Sequence, residues 1–244
     1  FLIVSSNLTE EQNVVGIPIK AAINDGATAI IIDQRETELT RYADIWLRPK
    51  PGSEYALLGG MIRTIIEESI DDHDFLVDNC SGLDELKYSL WEFDLFQVEA
   101  QTGIPQSEIR EAARCFAGLD SASIIYGLET VSAELRAECV TALVNLSLVT
   151  GNIGKKSTGL YPLYTGGNDQ GSIDMGCIPD LLPGHFDLSD TDAKARLERH
   201  WDSIIPSVPG VKITELTKHI DNGEIKALLV IGDSPNFTNG ELGN

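Results

Sequence analysis

The stretch FLIVSSNLTEEQNVVGIPIKAAINDGATAIIID, Phe1 to Asp33, decides the fold. Phe1–Val4 is a short all-apolar run that ends at Ser5-Ser6-Asn7. Thr9-Glu-Glu-Gln12 then matches a capping box, in which the Thr hydroxyl and the Gln side chain satisfy the first free N–H groups of a helix. The helix runs to about Asn24-Asp25-Gly26, a typical stop. Ala27–Asp33 reads as a second strand buried on both faces, as parallel strands are. Two strands joined by a helix make a β–α–β unit, whose Ser5–Asn7 turn falls where a parallel sheet delivers phosphates to a helix N-terminus. The turn lacks G-x-G-x-x-G, so an ordinary capped turn is the competing reading. Asp33, at the end of the second strand, reads equally as an acceptor for ribose hydroxyls or a purine amide edge and as a solvated strand-end carboxylate.

Outward from this unit the alternation of strand and helix continues. Tyr42–Leu47 reads as a third strand, closing on Arg48-Pro-Lys-Pro-Gly-Ser-Glu54, a turn shaped by its prolines and glycine. Ser53 is placed to cap a helix through about Ser69, with Leu57, Leu58, Met61, Ile62, Ile65 and Ile66 on one face. Asp71–Leu90 reads as helical, acidic and solvated, with His73 a surface residue. Pro105 and Ser107 open a helix that ends near Gly118, and Ser121–Tyr126 is a fourth strand. The helix of about Val131–Val149 buries Leu135, Cys139, Ala142, Leu143 and Leu146. Asp190–Ile204 and Thr214–His219 read as helices, and Lys226–Ile231 as a last strand ending in Gly232–Asn236. The expected class is α/β, a Rossmann-like αβα three-layer arrangement with parallel sheets, in two parts, residues 1–165 and 166–244.

Between these parts lies TGNIGKKSTGLYPLYTGGNDQGSIDMGCIPDLLPG, Thr150 to Gly184, with no apolar period of 2 or 3.6. Long loops of this kind are functional or disordered. The interleaved Leu160, Tyr161, Leu163, Ile173, Met175, Ile178 and Leu181 call for burial and favour an ordered loop wrapped over something large and polar, against a purely structural crossover. The strand-ending turns at Ser5–Asn7 and Gly232–Asn236 flank it, and two such crevices suit a ligand with two phosphate-bearing halves.

A formal net charge of −20 argues against nucleic acid and anionic lipid as partners. No apolar run is long enough for a transmembrane helix. Cys80, Cys115, Cys139 and Cys177 are far apart, with no CxxC, so neither a zinc nor an iron–sulfur site is read here. A reducing, cytoplasmic setting is expected. The opening in a bare apolar strand, without Met or a basic leader, suggests a piece of a longer polypeptide.

Four features resemble the molybdopterin-dependent oxidoreductases, and among them the catalytic subunit of formate dehydrogenases. They are SSNLTE, IIIDQRET, RPKPGSE, and the glycine-rich stretch followed by IGDSPN. The resemblance covers essentially the whole chain. It implies a central fragment, like domains 1–3 of formate dehydrogenase and DMSO reductase, holding molybdopterin guanine dinucleotide with molybdenum or tungsten between two Rossmann-like domains. Ser6, Asn7 and Glu10 would face one pyrophosphate; Asp33, Arg35 and Thr37 its guanosine end; and Gly52, Ser53 and Glu54 would close over it. Asn168, Gln170 and Gly171 would lie near the pterins, and Gly232, Asp233, Ser234 and Pro235 would serve the second dinucleotide. In the family the metal-ligating residue and a 4Fe-4S cluster precede the position of Phe1, so the segment alone would be inactive. Its expected partners are the remaining domains of the subunit and iron–sulfur or flavin electron-transfer subunits.

The sequence also departs from the family. Ser5 replaces a glycine, Gln34 a proline, and Thr165-Gly166-Gly167 a Gly-Gln-Asn. Tyr164 replaces an arginine that holds formate, and a tyrosine supplies neither positive charge nor a bidentate fork. These departures suit an alternative, a pterin-free scaffold related to the large iron–sulfur subunit of NADH–quinone oxidoreductase. The retained NDQGSIDMG run suits the enzyme. A generic nucleotide-binding domain is the third reading.

Overall fold

A computed structural model describes residues 1–163 and 168–229. By its contacts the chain divides into two compact units, Phe1–Thr165 and Gly166–Asn244.

In the first unit, β1 (Leu2–Val4), α1 (Leu8–Glu11), α2 (Asn13–Asn24), β2 (Ile30–Ile32) and β3 (Ile45–Leu47) are followed by the helices α3 (Glu54–Glu67), α4 (His73–Asn79), α5 (Leu83–Ser89), α6 (Leu95–Thr102) and α7 (Gln106–Ala117). Then come β4 (Ser123–Tyr126), α8 (Ala133–Val149) and β5 (Gly159–Pro162). The five strands form one parallel sheet in the order β3-β2-β1-β4-β5, with Leu2 opposite both Ile30 and Ile124. Alternation of side chains along each strand divides the core in two. Leu2, Val4, Ile30 and Ile32 pack with buried residues of α3, α7 and α8, whereas Ile3, Ile31 and Ile125 pack with Leu8, Ile19 and Ile23 of α1 and α2. Helices thus cover both faces, and the α/β class and parallel pairing agree with the sequence reading. Glu68, at the end of α3, accepts from Arg114 at 2.6 and 2.9 Å and from Arg110 at 3.0 Å, tying α3 to α7.

Several local expectations are corrected. Thr9 does not cap a helix: α1 begins at Leu8 with Asn7 in the N-cap position, and Thr9 lies inside it. The chain leaves β1 through Ser5 at φ 45°, which starts the helix earlier than the capping box implies. Ser53 does hold the N-cap position of α3, but its hydroxyl donates to the Lys50 carbonyl at 2.7 Å instead of capping an N–H. The acidic stretch after Asp71 is two helices, parted at Gly82 in a left-handed conformation. The glycine-rich stretch is not all loop. Gly159–Pro162 pairs with β4 as an edge strand, where a proline is tolerated.

Asn152, in the same stretch, is a buried staple. Its amide oxygen accepts from Ala122 N–H at 2.8 Å, its amide nitrogen donates to Thr150 at 2.9 Å, and its carbonyl accepts from Ser147 at 2.9 Å. The start of the stretch therefore fixes the end of α8 against the entry of β4, in keeping with the structural alternative for that part.

The second unit holds α9 (Asp169–Asp174), an antiparallel pair β6 (Leu181–Leu182) and β7 (Phe186–Asp187), α10 (Thr191–Trp201) and α11 (Leu216–Asp221). Asp190 caps α10 by accepting from Asp192 and Ala193 N–H at 3.0 and 2.9 Å. The β6–β7 pair was not foreseen, and Met175, expected to be buried, is exposed. Lys226–Leu229 has no strand assignment, and the rest of that expected strand lies outside the described residues.

Gly16 of α2 sets the seat of α1. A Cβ there would stand 2.5 Å from the Leu8 carbonyl oxygen, a contact with backbone that must be relieved by movement. Gly16→Ala should therefore destabilise the fold by about 1–3 kcal/mol despite the better helix propensity of alanine. Urea unfolding measures this, and an unchanged midpoint would contradict it.

Candidate functional site

In sheet order β1 lies between β2 and β4, and the helices that follow β1 (α1 and α2) and β4 (α8) cover opposite faces of the sheet. This is a topological switch point, and open α/β sheets bind ligands outside the carboxyl ends of the strands there. Four segments meet at that end: Ser5–Asn7 after β1, Asp33–Arg35 after β2, Gly52–Glu54 after β3, and Gly127–Thr130 after β4.

Two non-glycine residues flank the switch point in the left-handed region, Ser5 at φ 45° and Leu128 at φ 54°. Such conformations cost roughly 1–2 kcal/mol each, and strain of this sort collects at ligand sites. The positive φ at Ser5 gives a physical reason for the glycine of the resembled turn. Ser5 is fully buried, and its hydroxyl accepts from Thr130 at 2.9 Å, which ties the β1 and β4 turns together.

Ser6 and Asn7 each bring an unsatisfied polar atom here. Ser6 is 3 % exposed and its Oγ has no protein partner, nor has the buried Oδ1 of Asn7. Asn7 donates its Nδ2 to Glu10 Oε2 at 2.8 Å. Glu10 is exposed, so its observed contact is with Asn7.

After β2, Asp33 is buried and grips Arg35. Its Oδ1 accepts from the Arg35 backbone N–H at 2.8 Å and from Nε at 3.2 Å, while Oδ2 accepts from Nη2 at 3.2 Å. The Asp33 carbonyl accepts from Trp46 Nε1 at 3.0 Å. Arg35 Nη2 also donates to Glu129 at 2.9 Å. These two carboxylates hold the guanidinium pKa above its ordinary value, Asp33 most of all. The nearby Glu129 also raises the Glu11 pKa above its ordinary value. Thr37 is buried and uses its carbonyl to accept from Thr40 at 2.8 Å.

After β3, Gly52 at φ 82° turns the chain into α3. Glu54, fully buried in the first turn of that helix, accepts from Gln34 Nε2 through Oε1, while its Oε2 has no partner. A carboxylate in the first turn of a helix is favoured by the helix dipole. The buried Cys139 thiol is pushed up to about 12 by burial first, then by Glu54 and Glu138, so it is an inert thiol at neutral pH.

The structure therefore gathers Ser6, Asn7, Asp33, Arg35, Gly52, Ser53 and Glu54 at one sheet end, with Glu10 and Thr37 bounding it. Asn168, Gln170 and Gly171 belong to the second unit. Asn168 takes the N-cap position of α9, and exposed Gln170 donates to Asp174 at 2.8 Å. Gly232, Asp233, Ser234 and Pro235 lie outside the described residues, as do Tyr164 and Thr165-Gly166-Gly167. Among the described residues no cluster of three metal-ligating side chains occurs. Sequence reasoning missed Gly127–Thr130 as part of the site, and it treated Gln34 only as a departure from the family. The overlooked signal was the position of Gly127 directly after the strand that pairs with β1.

The family model for molybdopterin oxidoreductase matches residues 1–243. The chain belongs to the molybdopterin oxidoreductase family. It is 33% identical over 237 residues to formate dehydrogenase H of Escherichia coli (strain K12), covering 97% of this chain and 33% of that protein. It is 32% identical to the F420-dependent formate dehydrogenase subunit alpha of Methanocaldococcus jannaschii, covering 96% and 34%. To the NADPH-Fe(3+) oxidoreductase subunit alpha of Geobacter sulfurreducens it is 31% identical, covering 91% and 26%. Among solved structures, acetylene hydratase from Pelobacter acetylenicus matches with a TM-score of 0.60 and 33% identity, covering 64% of this chain and 22% of that one. The chain thus spans about a third or less of the proteins it matches. Family membership implies a molybdopterin-type cofactor.

The site's own residues fit a polar group of this kind. Three buried polar atoms, the Ser6 hydroxyl and the acceptor oxygens of Asn7 and Glu54, lack partners at one sheet end, as expected where a polar ligand binds. Gly127 supplies a side-chain-free wall beside them, since a Cβ there would stand 3.1 Å from Ser6 Oγ. Asp33 is the anchor that holds Arg35 in place. Asp33→Asn should cost about 1.5–3 kcal/mol, because it removes a buried charge-assisted fork. Urea denaturation tests this, and a change under the measurement error would contradict the assigned role.

Proposed function

We propose that this chain is a nucleotide-clasping part of a molybdopterin-dependent oxidoreductase of the formate dehydrogenase type, which binds molybdopterin guanine dinucleotide. The observation that carries the reading is the set of unpartnered buried oxygens, Ser6 Oγ, Asn7 Oδ1 and Glu54 Oε2, grouped at a switch point. The cofactor, when bound, supplies the redox chemistry of its metal. The protein's share is to bind and orient. Ser6 donates its hydroxyl proton to a phosphate oxygen, and Arg35 supplies positive charge at the same sheet end. Asp33 and Glu54 accept from the ribose hydroxyls and from the N–H edge of the base. Guanine suits a carboxylate acceptor because it presents adjacent N–H donors on that edge.

The second dinucleotide, the 4Fe-4S cluster and the electron-transfer partner subunits belong to the same proposal, as does the inactivity of this segment by itself. They are supported by the family match and by relatives named as alpha subunits. The pterin-free scaffold is not favoured, since several relatives are formate dehydrogenases and the sheet end presents acceptors in need of donors. Formate itself carries less support, because the resembled substrate arginine is replaced by Tyr164.

Metal analysis of the purified protein by mass spectrometry, with assay for pterin and for guanosine monophosphate released by acid, tests the reading. Molybdenum or tungsten, pterin and guanine nucleotide should appear together in fixed proportion. Protein free of all three after expression in a host that makes the cofactor would count against it.

A further inference from the structure

The pair Arg35–Glu129 joins the segments that follow β2 and β4, and it spans the carboxyl end of β1. Glu129 Oε2 accepts from Arg35 Nη2 at 2.9 Å. Its other oxygen, Oε1, lies 2.9 Å from the point where a Cβ on Gly127 would stand, and Ser6 Oγ lies 3.1 Å from that same point. The Glu129 carboxylate and the buried, unpartnered Ser6 hydroxyl therefore converge on the bare face of Gly127 without bonding each other. A negatively charged oxygen group already stands where an anionic ligand would meet Arg35 and Ser6 together.

We propose that Glu129 is an internal stand-in for a ligand phosphate, a latch that holds Arg35 across the crevice and is displaced when a nucleoside diphosphate enters. The inference rests on the nucleotide reading of this sheet end and adds to it the residue that tunes apo affinity. The exchange replaces one oxyanion partner of the guanidinium by another, and the displaced Glu129 carboxylate keeps its charge and turns toward solvent. Asp33 keeps Arg35 in place during the exchange, because its Oδ1 accepts from the Arg35 backbone N–H and Nε, neither of which Glu129 uses. The incoming phosphate gains the arginine and the Ser6 hydroxyl, but it must first break the Arg35–Glu129 pair. Glu129 is thus a positioning residue that lowers the affinity of the empty protein for phosphate-bearing ligands.

The test is titration calorimetry of cofactor-free protein with guanosine diphosphate and with guanosine, for wild type, Glu129→Gln, Glu129→Asp and Glu11→Gln, each checked for a cooperative thermal transition. Glu129→Gln removes the charge, and Glu129→Asp shortens the side chain by a methylene and breaks its reach, so either variant reports if the other fails to fold. Both should bind guanosine diphosphate about fivefold more tightly than wild type. Guanosine affinity should stay unchanged, since it brings no phosphate. Glu11→Gln should show a clearly smaller gain, because Glu11 meets Glu129 and is a general charge control. Equal gains in Glu11→Gln and Glu129→Gln, equal gains for guanosine, or no gain for the diphosphate would overturn the latch while leaving the nucleotide reading intact. Absence of diphosphate binding by wild type and every variant would overturn both.

Discussion

The structure depends on one constraint: β1 sits at the middle of a five-stranded parallel sheet, and the chain leaves β1 and its neighbour β4 over opposite faces. Helices cover both faces where the crossovers from two neighbouring strands run to opposite sides, and that divergence opens a crevice at the carboxyl ends of those strands. The candidate site residues of the first unit lie around that opening. The two left-handed residues Ser5 and Leu128 occur in the turns on either side of it. The buried hydrogen bond from Thr130 to Ser5 fastens the same two turns. Two left-handed residues and three unpartnered buried oxygens thus share this opening, whereas the sheet itself is assembled from paired three- and four-residue strands.

Much of this was legible in the residues. The runs Leu2–Val4 and Ile30–Ile32 are apolar on both faces, which specifies a buried parallel sheet. The periodicity of α8 exposed its core residues Cys139, Leu143 and Leu146. Less legible was β5, because its Gly-Leu-Tyr-Pro is half exposed, lies at an edge and carries residues typical of turns. The capping box at Thr9 misled for a different reason: a left-handed Ser5 cannot be read from sequence, and it advances the helix start to Leu8. Side-chain pairs distant along the chain, such as Arg35–Glu129 and Gln34–Glu54, were likewise invisible until the strand order was known.

Gln34 shows how a departure from the family can be compensated locally. Its amide donates to Glu54, the buried carboxylate that opens α3, so one oxygen of that carboxylate is held while the other stays available. The Arg48 guanidinium in turn donates to the Gln34 carbonyl at 2.8 Å, which pins the segment between β2 and β3. The acidity of the chain, −20 overall, is compatible with an anionic ligand only because cations are placed this locally. At the opposite, amino-terminal end of the sheet a cavity of about 580 Å³ is lined by Phe1, Ala27, Thr28, Asp120 and Ser123. It holds none of the buried unpartnered acceptors of the carboxyl end.

The contrast between the two ends of the sheet separates the account from its rivals. Hydrogen–deuterium exchange of cofactor-free protein, with and without saturating guanosine diphosphate, reads both ends in one experiment. The account predicts added protection in the peptides covering Ser5–Leu8, Asp33–Arg35 and Gly127–Thr130, with none at Gly26–Thr28 or Leu119–Ser121. Protection confined to the amino-terminal end, with Ser5–Leu8 unchanged, would contradict it.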